Sequence, residues 1–267
     1  MKRFWNFTQS QTRDKAGELI LYGEISDVTW YGDEVTPKTF KEELDALGDI
    51  DTLDIYVNSG GGDVFAGFAI FNILFRCKAY ITAYIDGIAA SIASFIIMAA
   101  DKIVMAKNSL LMIHNCWTSV GGNKEKMRKV ADEMERIDGI IADTYAEKMN
   151  QKRDVIAALM TGEKWFDSEE AIEAGIVDEV DEAKQIAASI YGESLNVGGQ
   201  VINLNRYFNA EKLRAQIPAA ELEAEKPETK KPENGEEIQP VSDKTALLEQ
   251  RKQFWNIRKK ILGGKVA

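Results

Sequence analysis

The stretch LDIYVNSGGGDV, residues 53–64, decides the fold class of this chain. Its first five residues, Leu53–Val57, are rich in β-branched and aromatic side chains, which predicts a strand. Three glycines follow at 60–62, and apolar residues then recur at helical spacing from about Val64 to Phe75. A strand, a glycine-rich loop and a helix in this order indicate an α/β protein.

Strand and helix signals alternate on both sides of this stretch. Because such alternation is typical of strands joined by crossover helices, it indicates an α/β fold with a largely parallel sheet. Ser168 and Gly175 bound the last predicted helix as N-cap and C-terminal stop. The predicted strands are 19–25, 53–57, 79–85, 102–106, 110–114 and 176–180, and the predicted helices are 37–48, 64–75, 89–100, 123–149, 153–160 and 168–174.

The chain has 267 residues, which fits one core domain with additional segments better than a single domain alone. We set the core domain at 19–209, after an N-terminal segment at 1–18. Residues 210–241 are rich in Glu, Lys, Pro and Ala, which predicts an acidic, disordered linker. Residues 242–267 regain helical periodicity with basic and aromatic side chains, which predicts an amphipathic tail helix. Such a helix suits docking on a partner, binding to a membrane surface or weak packing on its own domain.

Composition and charge argue against several classes of protein. The formal net charge of −10 argues against a general nucleic-acid binder, which needs a basic face. Two cysteines, Cys77 and Cys116, and a single histidine argue against a structural zinc site, so no metal is expected. The most apolar stretch, residues 81–100, contains Asp86 and many small residues, which favours a buried segment over an integral membrane segment. Since the N-terminus has no apolar run suited to a signal peptide, we expect a cytoplasmic protein.

Two segments carry the residue types of a serine hydrolase. Ser91 ends the small-residue run GIAAS, residues 87–91, where a helix is expected to begin. Backbone N–H groups at the start of a helix are unpaired, so the N–H of Ile92 suits an oxyanion. His114, the single histidine, ends an apolar strand and suits the role of general base. The alternative is that the serine only allows close helix packing and that the histidine is structural.

The glycine cluster has two interpretations. It matches neither a Gly-x-Gly-x-x-Gly turn nor a Walker A loop, and Asp63 would repel a phosphate. Bare backbone instead suits close approach to a substrate, with the N–H of Gly62 as a second oxyanion donor. The alternative is an ordinary tight turn, although three consecutive glycines carry a high cost in chain entropy.

A third catalytic group is expected to orient the imidazole of His114 through its other nitrogen. The sequence offers several carboxylates for this role, and their spacing does not choose among them. The candidates are Asp86, Asp101, Glu163 and Asp167.

Four sequence blocks follow one another along the chain: YVNSGGGDV at 56–64, GIAAS at 87–91, LMIHN at 111–115, and WFDSEEA at 165–171 continuing into GIVD at 175–178. In this order they resemble the Clp protease proteolytic subunit family, in particular its phage and prophage branch. The resemblance covers roughly residues 19–180. Its strength comes from the four blocks together, since each block alone is modest.

The resemblance implies a role for each residue at a matching position. Ser91 corresponds to the family's nucleophile and His114 to its base. Gly62 and Ile92 fall where the family has its two oxyanion-hole amides. The neighbouring residues of the glycine loop that correspond to substrate-binding positions are Gly61, Asp63 and Val64.

Two positions depart from the family pattern. Counting back from Gly175 places Glu163 where the family has its catalytic aspartate. A glutamate can still accept the imidazole N–H, but its longer side chain must be held differently. Gly60 is the second departure, because bacterial housekeeping members usually carry proline there.

The resemblance also implies a crotonase-like spiral of ββα units, with the long helix at 123–149 as a protruding handle between two rings. It implies a homo-oligomeric ring, expected as a heptamer or as stacked rings, and serine endopeptidase activity on unfolded or scaffold polypeptides, with no cofactor. The chain has no nucleotide-binding motif, so any ATP use belongs to a partner unfoldase. Phage relatives imply head maturation instead, with capsid or scaffold proteins as partners and the prohead as the location.

Two other functions fit the same residues. A crotonase-type acyl-CoA enzyme would share the fold and also hold an oxyanion with backbone amides, but it needs no Ser–His pair. A non-catalytic assembly or scaffold protein fits the acidic linker and the basic tail. The residue pattern favours the peptidase.

Overall fold

The computed structural model describes residues 5–26, 37–182, 188–191, 194–197 and 200–204, so the predicted linker at 210–241 and tail helix at 242–267 lie outside the described residues. Within that part of the chain, no helix is both long enough and apolar enough to cross a membrane. The strands are β1 (Trp5–Gln9), β2 (Ala16–Tyr22), β3 (Thr52–Ser59), β4 (Tyr80–Ala90), β5 (Lys102–Ala106), β6 (Leu110–Ile113), β7 (Lys164–Phe166), β8 (Glu179–Asp181), β9 (Ala188–Tyr191), β10 (Ser194–Val197) and β11 (Gln200–Asn203). The helices are α1 (Pro37–Ala46), α2 (Val64–Phe75), α3 (Ile92–Ile96), α4 (Lys124–Lys148), α5 (Arg153–Thr161) and α6 (Ser168–Glu173), with a 3-10 turn at Ile97–Ala99.

One sheet contains strands β1 to β8, and its main path runs in the order β1-β2-β3-β4-β5-β8. Neighbouring strands along β2-β3-β4-β5-β8 pair in parallel, and β6 also pairs in parallel with β4. Two pairs are antiparallel: β1 with β2, and β7 with β6. The predicted α/β fold with a largely parallel sheet is therefore confirmed. Strand β1 places part of the segment 1–18 in this sheet. Strands β9 to β11 form a separate antiparallel sheet that the sequence pattern did not predict.

The core lies where the central strands pack on the helices. Buried apolar residues of β2, β3 and β4 share one cluster with Ile70 on α2 and Phe95 on α3. Helices α2 and α3 approach closely because Gly67 has no side chain: a Cβ there would lie 2.1 Å from Cγ1 of Ile92. This packing fixes the start of α3 against the sheet, directly after Ser91.

Strand β4 is longer than predicted. It runs to Ala90, so the helix predicted for 89–100 begins only at Ile92. The prediction was wrong at this boundary because residues 88–90 pair in parallel with residues 110–112 of β6. That pairing involves a distant part of the sequence, and it overrides the helical preference of the alanines.

The three later predicted helices are all present as α4, α5 and α6, and one predicted cap needs correction. The long helix predicted at 123–149 is confirmed as α4, with Asn123 as its N-cap. The prediction of Ser168 as the N-cap of the last helix is wrong, because Asp167 caps α6 and forms a capping box with Glu170. Ser168 is instead the first residue inside the helix.

Candidate active site

Ser91 lies at the junction of β4 and α3 in a backbone conformation that residues with side chains rarely adopt. Its φ is 57° and its ψ is −131°. Hydrogen bonds hold the residue from both sides: its N–H donates to the carbonyl of Met112 at 3.0 Å, and its carbonyl accepts from the N–H of Ser94 at 3.0 Å. Strain of this kind persists only where the surrounding structure enforces it, and it clusters at functional sites.

Ser94 connects this junction to α4. It is fully buried, and its Oγ lies 2.6 Å from the carbonyl oxygen of Ser91, 2.8 Å from that of Met112 and 2.7 Å from Oη of Tyr145. Burial raises the pKa of Tyr145 well above its ordinary value, so its hydroxyl stays protonated. No local sequence pattern reveals this role of Ser94, because its bonds to Met112 and Tyr145 join residues that are distant in sequence.

His114 directly follows β6 and faces Ser91. Its Nε2 lies 2.8 Å from Oγ of Ser91, which is hydrogen-bond distance. Burial lowers the pKa of His114 below its ordinary 6.5, while the negative charges of Glu163 and Asp138 act in the opposite direction. The imidazole is therefore neutral at physiological pH. In the tautomer with hydrogen on Nδ1, its Nε2 can accept a hydrogen bond from the serine hydroxyl.

Glu163 is the predicted carboxylate that the structure places beside His114. Strands β6 and β7 are antiparallel with Ile113 opposite Lys164, so one further step along the ladder sets His114 opposite Glu163. Glu163 is only 7% exposed. Its carboxylate accepts a hydrogen bond from Nε1 of Trp165 at 3.3 Å.

The other three candidate carboxylates have partners elsewhere in the fold. The charges that act on the imidazole are those of Glu163 and Asp138. The structure therefore brings Glu163 together with the serine and the histidine and separates the remaining candidates from them. Asp86 accepts from the hydroxyl of Tyr22 at 2.7 Å, Asp101 accepts from the N–H of Ile81 at 2.7 Å, and Asp167 accepts from the N–H of Glu170 at 2.8 Å.

Asp138 is a residue of this site that the sequence did not reveal. It lies on α4, and its Oδ1 accepts a hydrogen bond at 2.7 Å from the N–H of Cys116, two residues after His114. It also adds a second negative charge near the imidazole. Among the many charged residues of the predicted helix, nothing distinguishes Asp138, because its role depends on how α4 packs on the chain that follows β6.

The glycine loop after β3 passes between Ile25 and Ser91. Gly61 has a φ of +92° and Gly62 a φ of +152°, which residues with a Cβ rarely adopt. A Cβ on Gly61 would lie 2.7 Å from the carbonyl oxygen of Ala90 and 2.7 Å from Cβ of Ser91. A Cβ on Gly62 would lie 1.9 Å from the carbonyl oxygen of Ile25. The loop therefore needs bare backbone at both positions for close approach to its neighbours.

The predicted oxyanion donors are the N–H groups of Gly62 and Ile92. Ile25 hydrogen-bonds to the residues on either side of Gly62, so the peptide groups of Gly62 itself face away from Ile25. Gly62 also lines the same cleft as Ser91. Ile92 is the first residue of α3, so its N–H has no acceptor within the helix.

A cleft opens beside the Ser91 hydroxyl. Of the predicted substrate-binding residues, Val64 lines this cleft, whereas Gly61 accepts from the N–H of Ile25 at 2.9 Å through its carbonyl. The carboxylate of Asp63 caps α2 by accepting from the N–H of Ala66 at 2.7 Å. The cleft is lined by Glu24, Gly60, Gly62, Val64, Ser91, His114, Cys116 and Trp117.

A family model described as Clp protease matches residues 21–184 of the chain. This chain belongs to the Clp protease family. Among similar proteins, the ATP-dependent Clp protease proteolytic subunit of Deinococcus radiodurans is 28% identical over 139 residues, which covers 51% of this chain and 68% of that protein. Proteolytic subunit 3 of Streptomyces coelicolor is 29% identical over 172 residues, covering 62% and 79%. The proteolytic subunit of Pleurastrum terricola is 34% identical over 126 residues, covering 46% and 64%.

Membership of the Clp protease family makes this protein a serine-type peptidase, which is a hydrolase. It also confirms the predicted Clp-protease-like α/β fold. The matched range contains the glycine loop, Ser91, His114 and Glu163, whereas β1 and β9 to β11 lie outside it. The family match does not separate the phage branch from the housekeeping branch, and that assignment stays a prediction.

Proposed function

We propose that this member of the Clp protease family is an endopeptidase that cleaves unfolded or scaffold polypeptides, with Ser91 as nucleophile, His114 as general base and Glu163 as orienting acid. One observation carries the proposal: His114 Nε2 lies 2.8 Å from Ser91 Oγ, and both residues line one cleft. An acyl-CoA enzyme of the same fold needs no such pair, and neither does a non-catalytic scaffold.

The geometry supports acyl transfer in two stages. His114 takes the hydroxyl proton as Oγ of Ser91 attacks the peptide carbonyl carbon, and Glu163 stabilises the imidazolium. The N–H groups of Gly62 and Ile92 bind the oxyanion of the tetrahedral intermediate. The imidazolium then protonates the leaving amine, the C–N bond breaks, and an acyl-enzyme ester remains. Water that the same imidazole deprotonates hydrolyses the ester and restores the serine.

Labelling with a fluorophosphonate tests this proposal on the full chain. We expect the reagent to add to Oγ of Ser91 in the folded protein, with the adduct mapped by peptide mass, and we expect cleavage of an unfolded substrate such as casein. An adduct on another residue, or an intact casein together with an unlabelled Ser91, would contradict the proposal.

The cleft predicts that the substrate binds as an extended chain along the glycine loop, with an apolar side chain beside Ser91. Trp117 is 64% exposed and lines this cleft together with Val64. Replacing Trp117 with alanine is expected to raise KM about fivefold for peptides with an apolar residue before the scissile bond, with kcat changed by less than about twofold. Steady-state assays with a fluorogenic peptide measure both parameters. Ile172→Ala, at an exposed apolar residue outside the cleft, is the control.

An unchanged KM for the Trp117 variant, or an equal rise for the control, would show that this wall of the cleft does not bind the substrate.

The pKa of His114 predicts the pH profile of the reaction. The base acts in its neutral form, so kcat/KM is retained above the pKa of His114 and is lost as the pH falls through it. Because burial lowers that pKa, the acid limb is expected below pH 6.5. The negative charges of Glu163 and Asp138 both raise the pKa of His114. Asp138→Asn removes one of these charges but keeps an acceptor for the N–H of Cys116. The limb of this variant is therefore expected at still lower pH.

A pH series of kcat/KM for the wild type and Asp138→Asn measures the shift. Asp132→Asn, at an exposed carboxylate of the same helix, is the matched control and is expected to leave the limb in place. A limb above pH 6.5 in the wild type would contradict the lowered pKa of His114, and a shift to higher pH in Asp138→Asn would contradict an effect of the Asp138 charge on this imidazole.

Assembly into a homo-oligomeric ring, as a heptamer or stacked rings, is part of the proposal. Family membership supports it, and α4 exposes 49% of Met127 and 53% of Ile140, apolar side chains that a second subunit would cover. An ATP-driven unfoldase is the partner proposed for Clp-type proteolysis in the cytoplasm. Capsid or scaffold proteins are the partners proposed for head maturation within phage proheads.

A further inference from the structure

The length of the Glu163 side chain bears on how its carboxylate is held facing the imidazole of His114. Its backbone lies in the left-handed region with a φ of 47°, in the turn between α5 and β7. Its side chain is one methylene longer than that of the aspartate that the family resemblance implies at this position. A longer side chain has an additional rotatable bond, so more conformational freedom must be removed before its carboxylate faces the imidazole of His114.

Trp165 supplies a contact that removes this freedom. Its indole N–H donates to Oε1 of Glu163 at 3.3 Å. Trp165 is 3% exposed and Glu163 is 7% exposed, so the bond is shielded from water. The backbone of Trp165 pairs with Met112 on β6, two residues before His114, so the donor lies on the strand that neighbours the base.

We propose that Trp165 is a positioning residue whose indole N–H holds the carboxylate of Glu163 against the imidazole of His114. The inference rests on the proposed function, because it assigns Glu163 as the orienting acid. A carboxylate accepts hydrogen bonds through both oxygens, so one can be held by the indole while the other serves the imidazole. An indole N–H is a donor only, which fixes the direction of the contact.

Trp165→Phe tests the proposal, since phenylalanine keeps an aromatic ring in the buried site but removes the N–H. We expect kcat to fall about tenfold, the loss of one hydrogen bond to a charged acceptor, with KM changed by less than about twofold. The rate of Ser91 labelling by a fluorophosphonate is expected to fall by a similar factor.

The chain offers a matched control in Trp5→Phe. Trp5 is also 3% exposed, and its Nε1 donates to a glutamate, Oε2 of Glu43, at 2.9 Å. It lies on β1, which is separated from β4, the strand before Ser91, by β2 and β3. This substitution therefore removes the same type of bond away from Ser91. We expect its melting temperature to fall about as much as that of Trp165→Phe, while its kcat stays at the wild-type level.

A double-mutant cycle separates positioning from general stability. If Trp165 acts through Glu163, Trp165→Phe has no further effect on the labelling rate in a Glu163→Ala background. Full additivity of the two effects, a kcat of Trp165→Phe within about twofold of wild type, or an equal loss of kcat in Trp5→Phe would overturn the inference. A wild-type protein without labelling or peptidase activity would instead count against the proposed function itself.

Discussion

Replacing Ser91 with alanine is expected to lower kcat/KM for peptide hydrolysis by at least about 1000-fold, since it removes the attacking oxygen. The fold is expected to remain, for three reasons. Alanine has a Cβ like serine, so the strained φ of 57° carries a similar cost in both. The Ser91 hydroxyl makes no capping bond to α3, and its contact is with Nε2 of His114. The backbone bonds of residue 91 to Met112 and Ser94 are unaffected by the substitution.

Three measurements on the Ser91→Ala variant check this prediction: peptide hydrolysis, fluorophosphonate labelling and the melting temperature. Thr12→Ala removes an exposed hydroxyl between β1 and β2 and serves as the control with unchanged activity. Substantial peptidase activity in Ser91→Ala would eliminate the serine as nucleophile. Turnover of a CoA thioester by Ser91→Ala would favour the acyl-CoA alternative, because that chemistry needs only the backbone amides.

The sequence reveals those parts of the site that have a local signature. The glycine loop stands between a strand pattern and a helix pattern, and the single histidine ends an apolar run. Ser91 follows small residues, but the sequence placed them at the start of a helix. In the structure they extend β4, and Ser91, with its positive φ, directly follows the end of that strand. The pairing with β6 that decides the matter joins residues about twenty positions apart, which no local pattern shows.

Local sequence patterns could not select Glu163 as the proposed orienting acid. From spacing alone it was one of several carboxylates, and only the family resemblance set it apart. Its position opposite His114 depends on β7, a strand of 3 residues, too short to show a strand periodicity. Asp138 and Trp165 are still harder to predict from the sequence. Asp138 contacts Cys116 from a distant helix, and Trp165 lies near His114 only because β7 pairs with β6. Local sequence patterns therefore indicate the proposed reacting groups, Ser91 and His114, more readily than they indicate the groups that orient them.

The second large effect is expected at Gly62. Replacing it with alanine is expected to lower kcat about 100-fold or more, the range observed when one oxyanion donor is lost. A Cβ at this position would lie 1.9 Å from the carbonyl oxygen and 2.8 Å from the carbonyl carbon of Ile25, and backbone atoms cannot move aside as a flexible side chain can. The loop would therefore shift, and the N–H of Gly62, the proposed oxyanion donor, would move with it.

Gly62→Ala adds a Cβ at a positive φ and also creates a clash with Ile25, and a substitution at Gly48 separates these two effects. Gly48 has a φ of +74°, but a Cβ there would meet nothing within 4 Å, and the residue follows α1 away from the cleft. Gly48→Ala therefore carries the cost of a positive φ, about 1 kcal/mol of stability, without a clash. We expect Gly48→Ala to lower the melting temperature and keep kcat, and Gly62→Ala to lose kcat even well below its melting temperature. If folded Gly62→Ala cleaves peptides at the wild-type rate, the loop serves only chain packing, and the oxyanion must be bound by other donors.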